Sequence, residues 1–185
     1  MKSKHPARRL QQLRGMRGFS LVEMLIATLI LLIGLVGIAQ LVPTSMLINQ
    51  RGRLSSTSLV FAQKELDQMM SQPLTSLTFV ESNGALCATA CKLGNPATPG
   101  IVVGNPILLV NNRTLIDFNS SAVADYSFTY TDPNDPFAVT YDVRWAVVTT
   151  VNGASVTGKR FIVGVRQLNA STFVPAVTLD AMVQQ

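Results

Sequence analysis

Gly18-Phe19-Ser20-Leu21-Val22-Glu23 opens an apolar run, residues 19–42, in which Glu23 is the one ionisable side chain. A helix of 24 residues spans about 36 Å, enough to cross a hydrocarbon core of about 30 Å. A lone carboxylate near the start of a membrane-spanning helix is costly, and acids in such positions usually have a function. The run therefore predicts a transmembrane helix with an acid that requires a partner.

The residues before this run form a polar, basic leader, residues 1–18. Six of the 15 Lys and Arg residues lie there, with no acid among them. The rest of the chain carries nine basic and ten acidic residues, a formal net charge of −1. The overall charge of +5 belongs to the leader, so direct nucleic-acid binding is not expected. Positive charge holds its flank of a membrane segment in the cytoplasm, which predicts export of the C-terminal part.

Residues suited to catalysis or metal binding are scarce. The only histidine, His5, lies in the leader, and Cys87 and Cys91 cannot complete a four-ligand zinc site alone. Residues 131–136 superficially suggest calcium ligands, but they lack the glycine and the twelfth-position Glu of an EF-hand loop. We therefore predict a turn there, and no enzyme activity, metal or cofactor.

Three interpretations compete for the apolar run. A secretory signal has an apolar region of about 7–15 residues with small residues after it, whereas here the glycine comes before. A plain signal-anchor gives no reason for Gly18 or Glu23. The third is a resemblance: all six residues from Gly18 to Glu23 match the prepilin cleavage and methylation motif of type IV pilins and type II secretion pseudopilins.

This resemblance implies a role for each residue of the motif. A prepilin peptidase would cut between Gly18 and Phe19 and N-methylate the new amine of Phe19. Glu23 would then pair with the Phe19 amine of a neighbouring subunit, since a paired carboxylate is tolerable in low dielectric where an isolated one is costly. The alternative for Glu23 is a carboxylate that extends to the membrane interface.

The helix is expected to continue past the membrane. Pro43 removes one backbone hydrogen bond and predicts a bend in the helix rather than its end. Beyond it the pattern is amphipathic, and Pro73 predicts a helix end near Gln72. The predicted sheet-facing stripe comprises Leu47, Ile48, Leu54, Leu59, Ala62, Leu66, Met69 and Met70.

After the helix the composition changes to that of a loop and then of strands. In an exported protein Cys87 and Cys91 are predicted to form a disulfide, with two free thiols as the alternative. The predicted organisation is a leader (1–18), an apolar helix half (19–42), an amphipathic half (43–72), a loop (73–100) and a strand region (101–185). Short strands are predicted at 101–103, 107–110, 113–118 and 126–130.

The clearest hairpin pairs the strand around Trp145 with the strand around Phe161. If residues 152–154 form a three-residue loop, Trp145 lies opposite Phe161 and Val143 opposite Val163. A two-residue Asn-Gly turn would shift the apolar residues out of phase. We predict the longer loop, with Trp145 in the core under the helix.

These features predict an α+β fold, in which a long N-terminal helix packs on a C-terminal antiparallel sheet. Residues 32–39, 62–70 and 141–145 resemble minor pilins of the PilV type. This resemblance implies a fibre subunit with roles in adhesion, motility or DNA uptake.

Its partners would be prepilin peptidase, other pilins, inner-membrane assembly machinery and, before assembly, membrane lipid. It would lie in the inner membrane, N-terminus in the cytoplasm and C-terminal part in the periplasm, and afterwards in a surface pilus or periplasmic pseudopilus. The alternatives are a minor pseudopilin and a membrane-anchored periplasmic binding protein, although the long loop and large strand region favour a pilus.

Overall fold

The computed structural model describes residues 18–82, 84–131, 133, 138–168 and 175–184. The rest of the basic leader, residues 1–17, lies outside the described residues, as do most residues of the predicted turn at 131–136. The chain divides into two compact units, Met1–Met46 and Leu47–Gln185.

One α-helix, α1, extends from Leu21 to Met70. The amide of Met24 donates to the carbonyl of Ser20 at 3.1 Å, so the first helical turn begins within the motif. Pro43 lies inside this helix, so the prediction that the helix continues past the proline is confirmed. The helix ends two residues before the predicted end at Gln72, just ahead of Pro73.

The buried stripe of α1 is shorter than the sequence predicts. Ala62, Leu66 and Met69 are buried, as predicted. The prediction is wrong for Leu47, Ile48 and Leu59, which are exposed by 53%, 62% and 44%. Half-burial begins only at Leu54, and Leu59 projects beside the covered face. The complete buried set is Ser58, Ala62, Glu65, Leu66 and Met69.

Nine short or medium strands follow the helix in the described part of the chain. They are β1 (Thr78–Phe79), β2 (Cys91–Lys92), β3 (Val102–Gly104), β4 (Ile107–Val110), β5 (Arg113–Ile116), β6 (Ser127–Thr131), β7 (Thr140–Asn152), β8 (Ser155–Gln167) and β9 (Val177–Gln184). They form two two-stranded sheets, β1-β2 and β4-β5, and one five-stranded antiparallel sheet. In the five-stranded sheet the order is β3-β7-β8-β9, and β6 also pairs with β7.

The main core lies between one face of the five-stranded sheet and the second half of α1. Trp145 is fully buried, and its indole N–H donates to the carbonyl of Lys92 at 2.8 Å. The prediction that Trp145 is a core residue under the helix is therefore confirmed. The buried aliphatic and aromatic residues that share this core include Ala62, Leu66, Met69, Phe79, Phe128, Tyr141, Val143, Val147, Phe161, Val163 and Val165.

The β7–β8 register differs from the predicted one by two residues. Trp145 lies opposite Val163, not Phe161, and Val143 lies opposite Val165, not Val163. The loop is also shorter than predicted, because Asn152 pairs directly with Ser155. A β-bulge near Thr150 leaves one extra residue on β8, and this residue restores the apolar residues to the helix-facing side.

The other face of the sheet is covered by the β4–β5 hairpin and the segment after it. Ile116 of β5 packs on Ala146 and Ile162, so the central strands are covered on both faces. Next to this small core, Asp142 forms salt bridges with Arg144 at 3.0 Å and Arg166 at 2.9 Å. Such an ionic group is tolerated in a buried site because its charges are paired and hydrogen-bonded.

Two hydrogen bonds connect the helix to the end of β8. The side-chain amide of Gln167 donates through Nε2 to the carbonyl of Leu54 at 3.1 Å and to the hydroxyl of Ser58 at 3.3 Å. Both Ser58 and Gln167 are buried, so these bonds satisfy polar groups that would otherwise be costly to bury. They fix the position of the helix where its buried stripe begins.

Candidate functional site

The Gly18–Phe19 peptide bond lies just ahead of α1, separated from it by Phe19 and Ser20. Gly18 is exposed, and a Cβ added to it would meet no atom within 4 Å. Phe19 is 83% exposed. A protease can therefore approach the backbone on both sides of this bond without displacing another described part of the chain.

Glu23 lies in the first turn of α1, four residues after Phe19. Phe19 itself lies two residues before α1, which begins at Leu21. A carboxylate in the first turn interacts favourably with the positive end of the helix dipole. The described residues thus place the predicted cleavage bond and the acid at the same end of the helix.

The apolar half of α1 exposes its side chains all round. Every residue from 18 to 53 is exposed in the structure, including the aliphatic residues of the run. By length and composition, α1 is a helix able to cross a membrane; among the described residues it is the one that meets both conditions.

The hydroxyl groups of Thr28, in the apolar run, and of Thr44, just after it, hydrogen-bond to carbonyls of the helix itself. Thr28 donates to the carbonyls of Met24 and Leu25 at 3.0 and 2.9 Å, and Thr44 donates to the carbonyl of Gln40 at 2.9 Å. Hydrogen bonds of this kind allow Ser and Thr to lie in an apolar environment without an unpaired donor. The polar side chains are therefore compatible with a membrane or with a helix bundle.

A disulfide-bonded loop precedes β2 in the second unit. Cys87 and Cys91 are joined in the structure, with Cα atoms 5.2 Å apart. Asp125 holds this loop: its carboxylate accepts hydrogen bonds from the amide and hydroxyl of Thr89 at 2.7 and 2.8 Å, and pairs with Lys92 at 3.0 Å. The loop is thus attached to the segment that leads into β6.

Asp125 is an important site residue that the sequence did not reveal. Hydrogen bonds from Thr89, together with the Lys92 ammonium group, hold the pKa of Asp125 far below its ordinary value. Its φ of 66° lies in the left-handed region, which Asp tolerates better than most residues. A lone Asp without a sequence pattern around it gives no signal that it contacts residues 36 positions away.

The described residues offer no group of three or more His, Cys, Asp and Glu side chains arranged to hold a metal ion. Lys159 is a buried cation whose ammonium group donates to the carbonyl of Ser76. Burial lowers the pKa of Lys159 below its ordinary value. It lies on β8, and its surroundings are those of a core residue.

Of the residues singled out in the sequence, Gly18, Phe19 and Glu23 lie together at the N-terminal end of α1. Pro43 lies farther along the same helix, and the bend there remains a prediction. The cleavage, the methylation and the pairing of Glu23 are likewise predictions about the assembled or processed chain.

One comparison with known proteins agrees with this geometry. Residues 13–39 match the family model described as the prokaryotic N-terminal methylation motif. Searches of curated proteins and of solved structures find no match to the chain. The matched segment contains the Gly18–Phe19 bond, Glu23 and most of the apolar first half of α1. The match therefore shows that this N-terminal segment carries a prokaryotic N-terminal methylation motif.

Proposed function

We propose that the protein is a minor pilin, a structural subunit of a type IV pilus or a pilus-like fibre, resembling the PilV type. The observation that carries this proposal is the position of the motif: a cleavable bond and an acid lie at the start of an exposed, apolar helix. Prepilin peptidase cuts between Gly18 and Phe19 and methylates the amine of Phe19. The basic leader keeps this bond in the cytoplasm until processing.

Cleavage converts a costly acid into half of an ion pair. The new amine at Phe19 is cationic and Glu23 is anionic, and the two become complementary only after the leader is removed. In an apolar environment a carboxylate is tolerable when an opposite charge and hydrogen bonds accompany it. Pairing of Glu23 with the Phe19 amine of a neighbouring subunit sets the axial position of each new subunit.

The two halves of α1 then serve different partners. The apolar half, residues 19–42, lies in membrane lipid before assembly and against the helices of other subunits afterwards. The second half of α1 already packs on the sheet through Ala62, Leu66 and Met69. The inner-membrane assembly machinery moves the subunit from the first environment to the second, with the globular part in the periplasm or on the cell surface. Adhesion, twitching motility and DNA uptake are the processes such a fibre would serve.

The proposal is tested with Glu23→Gln, which keeps the size of the side chain and one acceptor oxygen and removes its charge. We expect normal amounts in the membrane and reduced recovery in sheared fibres. Glu23→Asp, which restores the charge on a shorter side chain, should recover part of the incorporation, and Gln40→Ala serves as the control within the same helix. Incorporation of Glu23→Gln at the wild-type level would refute the pairing role.

A further inference from the structure

The β4 strand, Ile107–Val110, carries three consecutive exposed aliphatic side chains. Leu108, Leu109 and Val110 are 44%, 73% and 45% exposed. No ionisable residue occurs between Ile101 and Asn112. Exposed edge strands usually carry charges, prolines or bulges that prevent pairing with another chain, and a run of exposed apolar residues calls for an explanation.

The backbone of β4 leaves hydrogen-bonding groups directed away from β5. The amide of Asp117 donates to the carbonyl of Pro106 at 2.9 Å, so this pair is hydrogen-bonded. Hydrogen-bonded and non-hydrogen-bonded pairs alternate along an antiparallel ladder, so the next non-hydrogen-bonded residues on β4 are Ile107 and Leu109. Their N–H and C=O groups point to the outer edge.

The partner strand supports this alternation independently. Ile116 lies opposite Ile107, and its amide points away from β4, where it donates to the hydroxyl of Thr178 at 3.3 Å. Among the strands in the described residues, β5 is the one that pairs with β4. The outer edge of β4 therefore presents the backbone N–H and C=O groups of Ile107 and Leu109, and aliphatic side chains flank these groups.

We propose that β4 pairs in an antiparallel manner with β4 of a second copy of this chain, about a two-fold axis at Leu108. In this register Ile107 of each copy lies opposite Leu109 of the other, and the outward backbone groups of both residues become paired. Leu108 then faces Leu108 of the second copy as a non-hydrogen-bonded pair, in which side chains approach most closely. The two hairpins form one four-stranded sheet.

A second copy suits this edge because β4 is complementary to itself. Ile107, Leu108 and Leu109 meet only aliphatic residues, and Val110 lies opposite Pro106, so no like charges meet. The edge strand β9 differs: it carries Asp180, an exposed acid in a salt bridge with Arg160 of β8, and charged side chains on an edge strand oppose pairing with another chain. In the folded chain β9 therefore carries a charge that opposes self-pairing, whereas β4 carries none.

The contact is small, and its size determines where it forms. Three exposed side chains and one short strand cover less than the roughly 800 Å² per partner of a standard stable interface. Pairing is therefore weak in dilute solution and is favoured where chains are held close together, as on a membrane. The inference goes beyond the proposed fibre function, since it requires neither cleavage of the leader nor pairing of Glu23.

The test uses the full-length chain in membranes, with one cysteine added per variant beside the Cys87–Cys91 disulfide, and a mild oxidant. In the proposed register the Cα atoms of the two Leu108 residues are about 4.5 Å apart, within disulfide range, whereas those of the two Leu109 residues are about 8–9 Å apart. Leu108→Cys should give a strong disulfide-linked dimer on a non-reducing gel, and Leu109→Cys, the matched control, should give only background. Equal dimer from the two variants, or none from either, would overturn the proposal.

A second variant separates this pairing from association through the apolar helix. Leu109→Lys, added to Leu108→Cys, places a charge opposite Ile107 of the second copy and should remove the dimer band. Val80→Lys adds the same charge at a residue that is 89% exposed elsewhere and should leave the band unchanged. Thermal melting establishes that each variant is folded. A dimer band that survives Leu109→Lys would contradict the proposed edge pairing.

Discussion

The packing of α1 on the sheet is tested by truncating Met69 to alanine. Met69 is fully buried in the main core with Leu66 and Trp145, in the part of α1 that covers the sheet. Leu59, ten residues earlier on the same helix, is 44% exposed. Leu59→Ala is therefore a matched control: it also shortens an aliphatic side chain, on a part of the helix surface that the sheet does not cover.

The magnitude follows from burial. Fully burying a methionine side chain is worth about 1.5–3 kcal/mol, and the cavity left by truncation raises the loss in unfolding free energy to about 2–5 kcal/mol. A substitution of an exposed residue usually changes the unfolding free energy by about 0.5 kcal/mol or less. Because total stability is about 5–15 kcal/mol, Met69→Ala should remove a large fraction of it.

Urea unfolding of the full-length protein in detergent measures this difference. Trp145 is the only tryptophan and lies in the same core, so its fluorescence reports the unfolding of this region. With an m-value of about 2 kcal/mol/M, Met69→Ala should lower the urea midpoint by about 1 M or more, and Leu59→Ala by about 0.25 M or less. Equal shifts for the two variants would refute the assignment of the buried helix face.

Two further predictions concern pH. Burial lowers the pKa of Lys159, so the folded state disfavours its charged form, and wild-type stability should rise as pH increases through the lowered pKa toward 10.5. Lys159→Met should lack this rise in urea midpoints measured between pH 7 and about 10.5; parallel curves would show that Lys159 does not titrate differently on folding. Hydrogen bonds from Thr89 lower the pKa of Asp125, so its contribution is present above pH 3.8 and is lost as pH falls below that value. Asp125→Ala should therefore be destabilised at neutral pH, with a difference from wild type that shrinks in acid; a constant difference would contradict the role of its charge.

Periodicity predicted the elements that depend on a single repeated pattern. The uninterrupted apolar run and the three- and four-residue spacing after Pro43 predicted one long helix, and α1 extends from Leu21 to Met70. Alternating apolar residues predicted the strands around Trp145 and Phe161. The α+β fold with an antiparallel sheet is confirmed, since these patterns reflect burial on one face of each element.

Features that depend on contacts between distant residues were not predictable in the same way. The β7–β8 register depends on a bulge near Thr150, and one extra residue on a strand leaves little trace in a period-two pattern. Strand β9 has a mixed composition and becomes a strand by pairing with β8. The two-residue strands β1 and β2 lie within the predicted loop, where the contact between Asp125 and Thr89 brings them into position.

The N-terminal motif differs from these folding features, because the role we propose for it depends on an enzyme that acts on the chain. Its residues could be read directly from the sequence, and the structure places them at an exposed helix start. The chemistry we propose for them is a change in covalent structure: one peptide bond is cut, one amine is created and that amine is methylated. The identity of the first residue of the mature chain therefore bears on the central claim more directly than any folding measurement.

Mass spectrometry of the intact protein and of its N-terminal peptide, purified from membranes of its native host, makes this measurement. We predict a chain that begins at N-methylated Phe19 and lacks residues 1–18, with full-length chain accumulating when Gly18 is replaced by a bulky residue. A mature protein that begins at Met1, or at any residue other than Phe19, would contradict the assignment of this chain as a processed pilin subunit.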